Sequence, residues 1–340
     1  MNITQSDFGN LPNGQNVTAY ELVNANGTKV TIIDYGARLV GWEFRGLDVL
    51  LGYADAATYA KDNKFMGAVV GRFANRIDKG EFTLNGQMYQ LDKNDGNNHL
   101  HGGYNGFYQK MWQAEILPDV LKLTVTSVDG ESGYPGNFTG EVTYRLTDNN
   151  ELIIDYAAES DADTLCNLTN HAYFNLNGHD SGDILGQRMQ ICADGFTWAN
   201  AESIPDGTIK PVADTPMDLR QAQAIGAHID DDFIELQYGK GYDHNWCVGR
   251  CGEMKTMAVA QGDKSGVRLT VSSDLPGVQF YSGNFLDADL PGKGGTRYAY
   301  RTGFCLETQF YPNSVNLPNF DQPILRRGEK WHSRTIFALA

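Results

Sequence analysis

Glu141-Val142-Thr143-Tyr144-Arg145-Leu146-Thr147-Asp148-Asn149-Asn150-Glu151-Leu152-Ile153-Ile154-Asp155-Tyr156 decides the fold class. Val142, Tyr144 and Leu146 alternate with polar residues, and Leu152, Ile154 and Tyr156 do the same after Asp148-Asn149-Asn150. Alternation with a period of two, broken by a turn-forming cluster, is the pattern of a β-hairpin with one buried face. The pattern recurs. Asn26-Gly27 separates Glu21–Val23 from Thr28–Asp34, and Asn85-Gly86 separates Glu81–Leu84 from Gln87–Leu91. Asn-Gly supplies the positive φ angles of tight hairpin turns. Further alternating runs lie at Leu121–Thr126, Val267–Val271 and Phe304–Phe310. Helical periodicity is confined to short stretches at Ala54–Lys61 and Leu219–Ile229. Many strands, 38 glycines and few helices predict an all-β protein, a large antiparallel β-sandwich or barrel. No linker, composition shift or internal repeat divides the 340 residues, so 1–340 reads as one domain.

The formal net charge is -15, and no Lys/Arg-rich run occurs. Such a surface repels polyanions, so nucleic acid is not an expected partner. No apolar stretch is long enough to span a bilayer, and Met1–Asp7 has neither a basic nor an apolar leader region. Five scattered cysteines, an odd number in a long chain, suit reduced thiols, and a cytoplasmic location is expected. No phosphate-cradling glycine loop, dinucleotide-binding fingerprint or serine-nucleophile motif is present, so no cofactor is expected.

Asn167–Leu176 carries the first candidate chemistry. Read as a strand, it places Thr169, His171, Tyr173 and Asn175 on one face, with Leu168, Ala172 and Phe174 on the other. An imidazole between hydrogen-bonding neighbours suits proton transfer, and equally a satisfied core histidine. In Phe304–Phe310, Glu307 shares a face with Cys305 and Gln309. Burial there would raise its pKa and make it a base near neutrality; a structural ion pair is the plainer alternative. His99 and His101 precede two glycines that permit close backbone approach. They could begin a zinc site, but no third ligand lies at a recognisable spacing. Asn75 and Arg76 lie in Gly71–Ile77, where an arginine fork could bind a carboxylate or sugar hydroxyls. Asp243 stands near Trp246, a carboxylate beside an aromatic surface, and Gln279 shares a face with Tyr281.

Taken in order along the chain, these segments resemble the galactose mutarotase (aldose 1-epimerase) family. The matching pieces are Gly71–Ile77, Leu100–Gly103, Asp129–Gly136, Asn167–Leu176, Asp243–Asn245, Gly277–Leu286 and Glu307–Asn313. The resemblance implies a β-sandwich of the mutarotase type that interconverts α and β anomers of hexoses such as galactose and glucose. It implies Glu307 as general base and His171 as general acid. Asn75, Arg76, His101, Tyr173, Asp243 and Gln279 fall on sugar-contacting positions. The implied partner is a monosaccharide, an aldohexose, bound without metal or cofactor by a monomer or weak homodimer. One departure is visible: after the double glycine the family often reads Gly-Phe-Asp-Lys-x-x-Trp, whereas this chain has Gly106-Phe107-Tyr108-Gln109-Lys110-Met111-Trp112. That bears on loop conformation and substrate preference rather than on reaction class. Two rivals come from other classes. A glycoside hydrolase on a related sandwich would use Asp243 and Glu307 as paired carboxylates, and a non-catalytic sugar-binding module would bind without turnover. For the epimerase, a carboxylate beside His171 is expected to hold its imidazole protonated, giving a bell-shaped pH profile.

Overall fold

The decisive hairpin forms as read. In the computed structural model, which describes residues 1–340, Phe138–Leu146 pairs with Glu151–Ser160 in unbroken antiparallel register. Val142 lies opposite Tyr156 and Tyr144 opposite Ile154, and Asn150 takes the positive φ of the turn. Around this hairpin grows a nine-stranded antiparallel sheet. Its spatial order is Gln113–Leu117, Val120–Ser127, Phe138–Leu146, Glu151–Ser160, Lys330–Leu339, Arg268–Ser273, Lys255–Gln261, Arg188–Ile191 and Gln223–Ala224. The strand Lys330–Leu339 thus sits in the middle, pairing on one side with Glu151–Ser160 and on the other with Arg268–Ser273.

Two five-stranded sheets cover one face of this large sheet. The first is built from Asn2–Asn10, Asn16–Val23, Lys29–Ile33, Arg38–Phe44 and Leu47–Asp48. The second runs Pro205–Pro211, Gly195–Ala199, Asp243–Cys247, Gly277–Tyr281 and Cys305–Gln309. Leu22, Val30 and Trp42 from the first, Trp246, Val278, Phe280 and Leu306 from the second, and Val142, Tyr144, Ile154 and Phe337 from the large sheet belong to one 55-residue apolar core. Each such side chain, fully buried, contributes roughly 1.5–3 kcal/mol. Polar links cross the layers as well: the Tyr144 hydroxyl donates to the Ala37 carbonyl (2.7 Å), and the Thr308 and Thr335 hydroxyls share a bond of 2.5 Å. The hairpins allowed an antiparallel sandwich or barrel; the fold is the sandwich that the family resemblance implied.

Helix is scarce, and one predicted helix is absent. Asp55 caps Ala56–Tyr59 through the Thr58 N–H, as the pattern at Ala54–Lys61 suggested. Leu219–Ile229 instead forms the edge strand Gln223–Ala224 and a single 3-10 turn, Ile225–Ala227. Leu219, Ile225 and Ile229 are buried there without a helix, because an irregular loop can also aim apolar residues at the core. The second α-helix is Ile234–Gly239, which no periodicity announced. No two cysteines are bonded to each other. No helix is long and apolar enough to cross a membrane.

Candidate active site

Strand register assembles one wall of the site. Asn245 pairs with Gln279, and Gln279 with Glu307, so three polar side chains stand in one row across three strands. Asp243, Tyr281 and Cys305 form the next row. The alternate residues Val278, Phe280 and Leu306 enter the core. Both faces of Gly277–Tyr281 and Cys305–Gln309 are therefore buried, and Glu307 is only 2% exposed. A row of linked amides holds Asp243 in place. Gln279 Nε2 donates to Asp243 Oδ1 (2.8 Å), Gln309 Nε2 donates to Asn245 Oδ1 (3.2 Å) and Gln279 Oε1 (3.3 Å), and Asn75 Nδ2 reaches Gln309 Oε1 (3.4 Å). Glu307 Oε2 has no partner.

The facing wall comes from irregular chain. Only Thr169–Asn170 of the predicted strand Asn167–Leu176 pairs as a strand, with Val69–Val70. Beyond it the segment is extended and threads between three others: the His171 N–H donates to Ala68, the Leu51 N–H to Tyr173, and the Phe174 N–H to Phe304. The alternation survives the loss of the ladder, since His171 and Tyr173 line the pocket while Leu168, Ala172 and Phe174 pack in the core. Asn175 lies away from the pocket and donates to the Gly182 and Thr302 carbonyls.

His99 and His101 part company. The strand His99–Leu100 ends in a turn where His101 has φ 50° and Gly102 φ 92°. A Cβ on Gly102 would lie 1.8 Å from the Gly71 carbonyl oxygen, so the close backbone approach is to another loop rather than to a ligand. His99 is structural: its Nδ1 donates to the Asp92 carbonyl (2.8 Å), which leaves Nε2 to accept from the Tyr134 hydroxyl (2.6 Å). His101 swings into the pocket, its ring 5.3 Å from that of His171. Arg72 is likewise structural, buried against Ser127 and the Pro135 carbonyl. Arg76 lines the pocket, with Nε bonded to Asp95 (2.8 Å).

The pocket encloses about 170 Å³. Asn75, Arg76, His101, His171, Tyr173, Asp243 and Glu307 all line it. Gln279 alone among the expected residues stands back, behind Asp243. Trp246 does not supply the aromatic face expected beside Asp243; its indole donates to the Met217 carbonyl inside the core. Phe65, Tyr281 and Phe285 are the aromatic lining instead. Nothing in the sequence marks Phe65, a lone aromatic in a loop. It has φ 57°, and its ring stands 4.7 Å from both His101 and Tyr108. Tyr108, the position of the family departure, therefore braces the pocket wall. The Phe65 loop is pinned from below by the buried Arg38–Asp62 ion pair (2.8 Å), whose Asp62 also accepts from the Lys64 and Met66 N–H groups.

His171 Nε2 and Glu307 Oε1 are 3.7 Å apart. His171 Nδ1 lies 3.4 Å from Cys305 Sγ. Burial lowers the His171 pKa to about 4. Burial, with the neighbouring Asp243 charge adding, raises Glu307 well above the ordinary carboxylate range, and burial also raises Asp243. The expectation that a carboxylate would hold His171 protonated is thus reversed: desolvation outweighs attraction, and a single proton on the pair favours the carboxyl side. His101 is neutral as well. Its Nδ1 accepts the Asn75 N–H (3.1 Å), so the ring proton sits on Nε2, and burial holds its pKa well below 6.5.

His101, His171 and Glu307 bring three possible ligand atoms within 4.8 Å of one another. Spacing in the sequence could not reveal this third partner. The donor chemistry fits a metal poorly. Ligation by His101 Nε2 would move the ring proton to Nδ1, where it would face the Asn75 N–H; ligation by Nδ1 would break that bond. The set suits hydrogen bonds to oxygen atoms: a donor in His101, a carboxyl–imidazole pair sharing one proton, an arginine fork and an unpartnered carboxyl oxygen. Such a pocket, floored by one sheet of a β-sandwich, belongs to the acid–base enzymes of small polyhydroxylated molecules.

Comparison with known proteins gives the particular family. Residues 18–338 match the family model described as aldose 1-epimerase. The galactose mutarotase of Sus scrofa is 41% identical over 345 residues, covering 100% of this chain and 99% of that protein. The aldose 1-epimerase of Escherichia coli K12 is 38% identical over 338 residues, covering 96% of each. The crystal structure of galactose 1-epimerase from Lactobacillus acidophilus superposes with a TM-score of 0.88 at 26% identity, over 100% of this chain and 99% of that one. The chain belongs to the aldose 1-epimerase family, isomerases that exchange the α and β anomers of aldoses.

Proposed function

We propose that the pocket opens and recloses the hemiacetal of a free aldohexose such as galactose or glucose, with Glu307 as base and His171 as acid. The observation that carries this reading is the 3.7 Å gap between Glu307 Oε1 and His171 Nε2 on the pocket floor. Ring opening removes a proton from the C1 hydroxyl and adds one to the ring oxygen. Both oxygens are bonded to C1, so an acid and a base that act on them must stand close together, as these two do. Exchange of anomers consumes no net proton. A pair that carries one proton needs no exchange with solvent, whichever partner holds it at rest. In the bound complex the C1 hydroxyl donates to Glu307 and the ring oxygen accepts from His171, which favours the arrangement with Glu307 ionised and the imidazole charged. Glu307 then takes the hydroxyl proton as His171 gives up its own. The free aldehyde rotates about C1–C2 and recloses with the roles reversed. Each transfer is typically worth ~10²–10⁴ in rate.

The remaining polar groups hold hydroxyls. His101 Nε2 donates, Asp243 accepts, and Arg76 offers the two terminal nitrogens that its bond to Asp95 leaves over. Gln279 positions Asp243 rather than the sugar. Tyr173 contributes its ring, since its hydroxyl donates to the Lys64 carbonyl (3.0 Å). Phe65 and Phe285 offer apolar surface to sugar C–H faces. Five unpaired thiols support work in a reducing compartment, the cytoplasm.

Polarimetry of freshly dissolved α-D-galactose and α-D-glucose tests the roles. Wild type should relax both sugars faster than buffer. Glu307→Gln and His171→Asn should each lower kcat by ~10²–10⁴ with little change in KM. Arg76→Ala should chiefly raise KM. If Arg76→Ala lowered kcat while Glu307→Gln raised only KM, these assignments would be wrong.

A further inference from the structure

Two cations line the pocket, and each is already paired. Lys64 Nζ lies 2.6 Å from Asp287 Oδ2, and Arg76 Nε donates to Asp95 Oδ2 (2.8 Å). The floor carries the acids Asp243 and Glu307, and neither has a salt-bridge partner among lysines and arginines. Each cation's charge is thus matched by a carboxylate, and what remains free is the pair of Arg76 terminal nitrogens assigned above to sugar hydroxyls. The Lys64–Asp287 pair matters most for one position of the ring. If the ring oxygen sits at His171, C5 is its neighbour and C6 is one bond further on. The Tyr173 ring lies 5.1 Å from that of His171, and its hydroxyl is bonded to the Lys64 carbonyl. Lys64 and Tyr173 line the same pocket, so a sugar bound with its ring oxygen at His171 and its C5 side toward Tyr173 would carry C6 toward Lys64. The pair is partly screened from solvent, with 19% of the Lys64 side chain and 43% of the Asp287 side chain exposed.

We infer that the Lys64–Asp287 ion pair is a specificity determinant that confines the pocket to aldoses whose C6 group is uncharged. The inference rests on the anomer-exchange reading above. Asp287 neutralises the cation that a C6 phosphate would need, and it opposes the phosphate's approach by like charge. Its removal leaves Lys64 as a free phosphate partner at the rim.

Magnetisation-exchange NMR of galactose and galactose 6-phosphate, with the buffer rate subtracted, gives kcat/KM for both. Wild type should favour galactose by about tenfold or more, the scale of a charge mismatch at a rim. Asp287→Asn should narrow that ratio about tenfold, and the gain should shrink as salt is raised, because half-exposed charges are screened. Adding Lys64→Met to Asp287→Asn should restore the wild-type ratio. Asp287→Glu, which keeps the charge, should retain the preference. Equal handling of both sugars by wild type would overturn the inference. So would an unchanged ratio in Asp287→Asn, or a double variant that stays relaxed. Failure of wild type to accelerate galactose at all would instead overturn the proposed reaction.

Discussion

Glu307 and His171 illustrate how far single residues could be read and where reading stopped. Alternation within Phe304–Phe310 put Glu307 opposite an apolar face, and the register with Gln279 bears that out. What the sequence could not supply was the depth of burial, which both flanking layers set together. That depth decides the pH profile. As the pH falls through about 4, His171 takes up a proton while the raised Glu307 still holds its own. The pair then has two protons and no base. Only when the pH rises through the raised Glu307 value, well above the ordinary carboxylate range, does the pair lose its single proton and its acid. Activity should therefore hold across neutral pH, with its acid limb near 4, in place of a narrow bell centred on the usual imidazole pKa. A kcat/KM profile that fell already at pH 6 would mean that the imidazole is not desolvated. Phe65 marks the opposite limit of legibility. It flanks both histidines, yet its position depends on tertiary packing that no local pattern encodes.

Among elements, hairpins were the legible ones and threaded segments the obscure ones. Asn26-Gly27 and Asn85-Gly86 each fix a two-strand unit by local turn chemistry alone, and both hairpins form. Asn167–Leu176 has the same alternation but few strand partners, because its neighbours are loops from distant parts of the chain. Alternation there reported the facing of side chains and not a ladder. Leu219–Ile229 misled in the same way, its apolar spacing satisfied by a loop. The loop Asp62–Met66 offers a test at this scale. Its shape hangs on Asp62, which accepts from Arg38, Tyr53 and two backbone N–H groups. Asp62→Ala would leave the Arg38 guanidinium buried without its carboxylate, a change that costs about 3–5 kcal/mol. Urea unfolding should show a loss of that size, with a raised KM in whatever fraction stays folded. A loss under 1 kcal/mol would show that the loop is held by other means.

For the whole molecule, the buried histidines govern response to acid. His99, His171 and His244 each have a pKa near 4, well under the ordinary 6.5, because burial disfavours their charged form. Between those two values the unfolded chain binds protons that the native state refuses, so these groups make stability fall as pH drops. Glu235, raised by burial to about 7, acts in the opposite sense: between its ordinary 4.5 and 7 the native state keeps a proton that the unfolded chain releases. A single substitution separates the trends. His99→Gln should flatten the decline of Tm between pH 6.5 and 4.5 relative to wild type, whatever it does to Tm itself. An unaltered slope would mean that His99 is charged in the fold. The central place of Lys330–Leu339 bears on biosynthesis. While a ribosome is still short of residue 330, the strands on either side have no bridge between them, and the protein waits as two open half-sheets with bare edges. The large sheet can therefore close only after that late insertion.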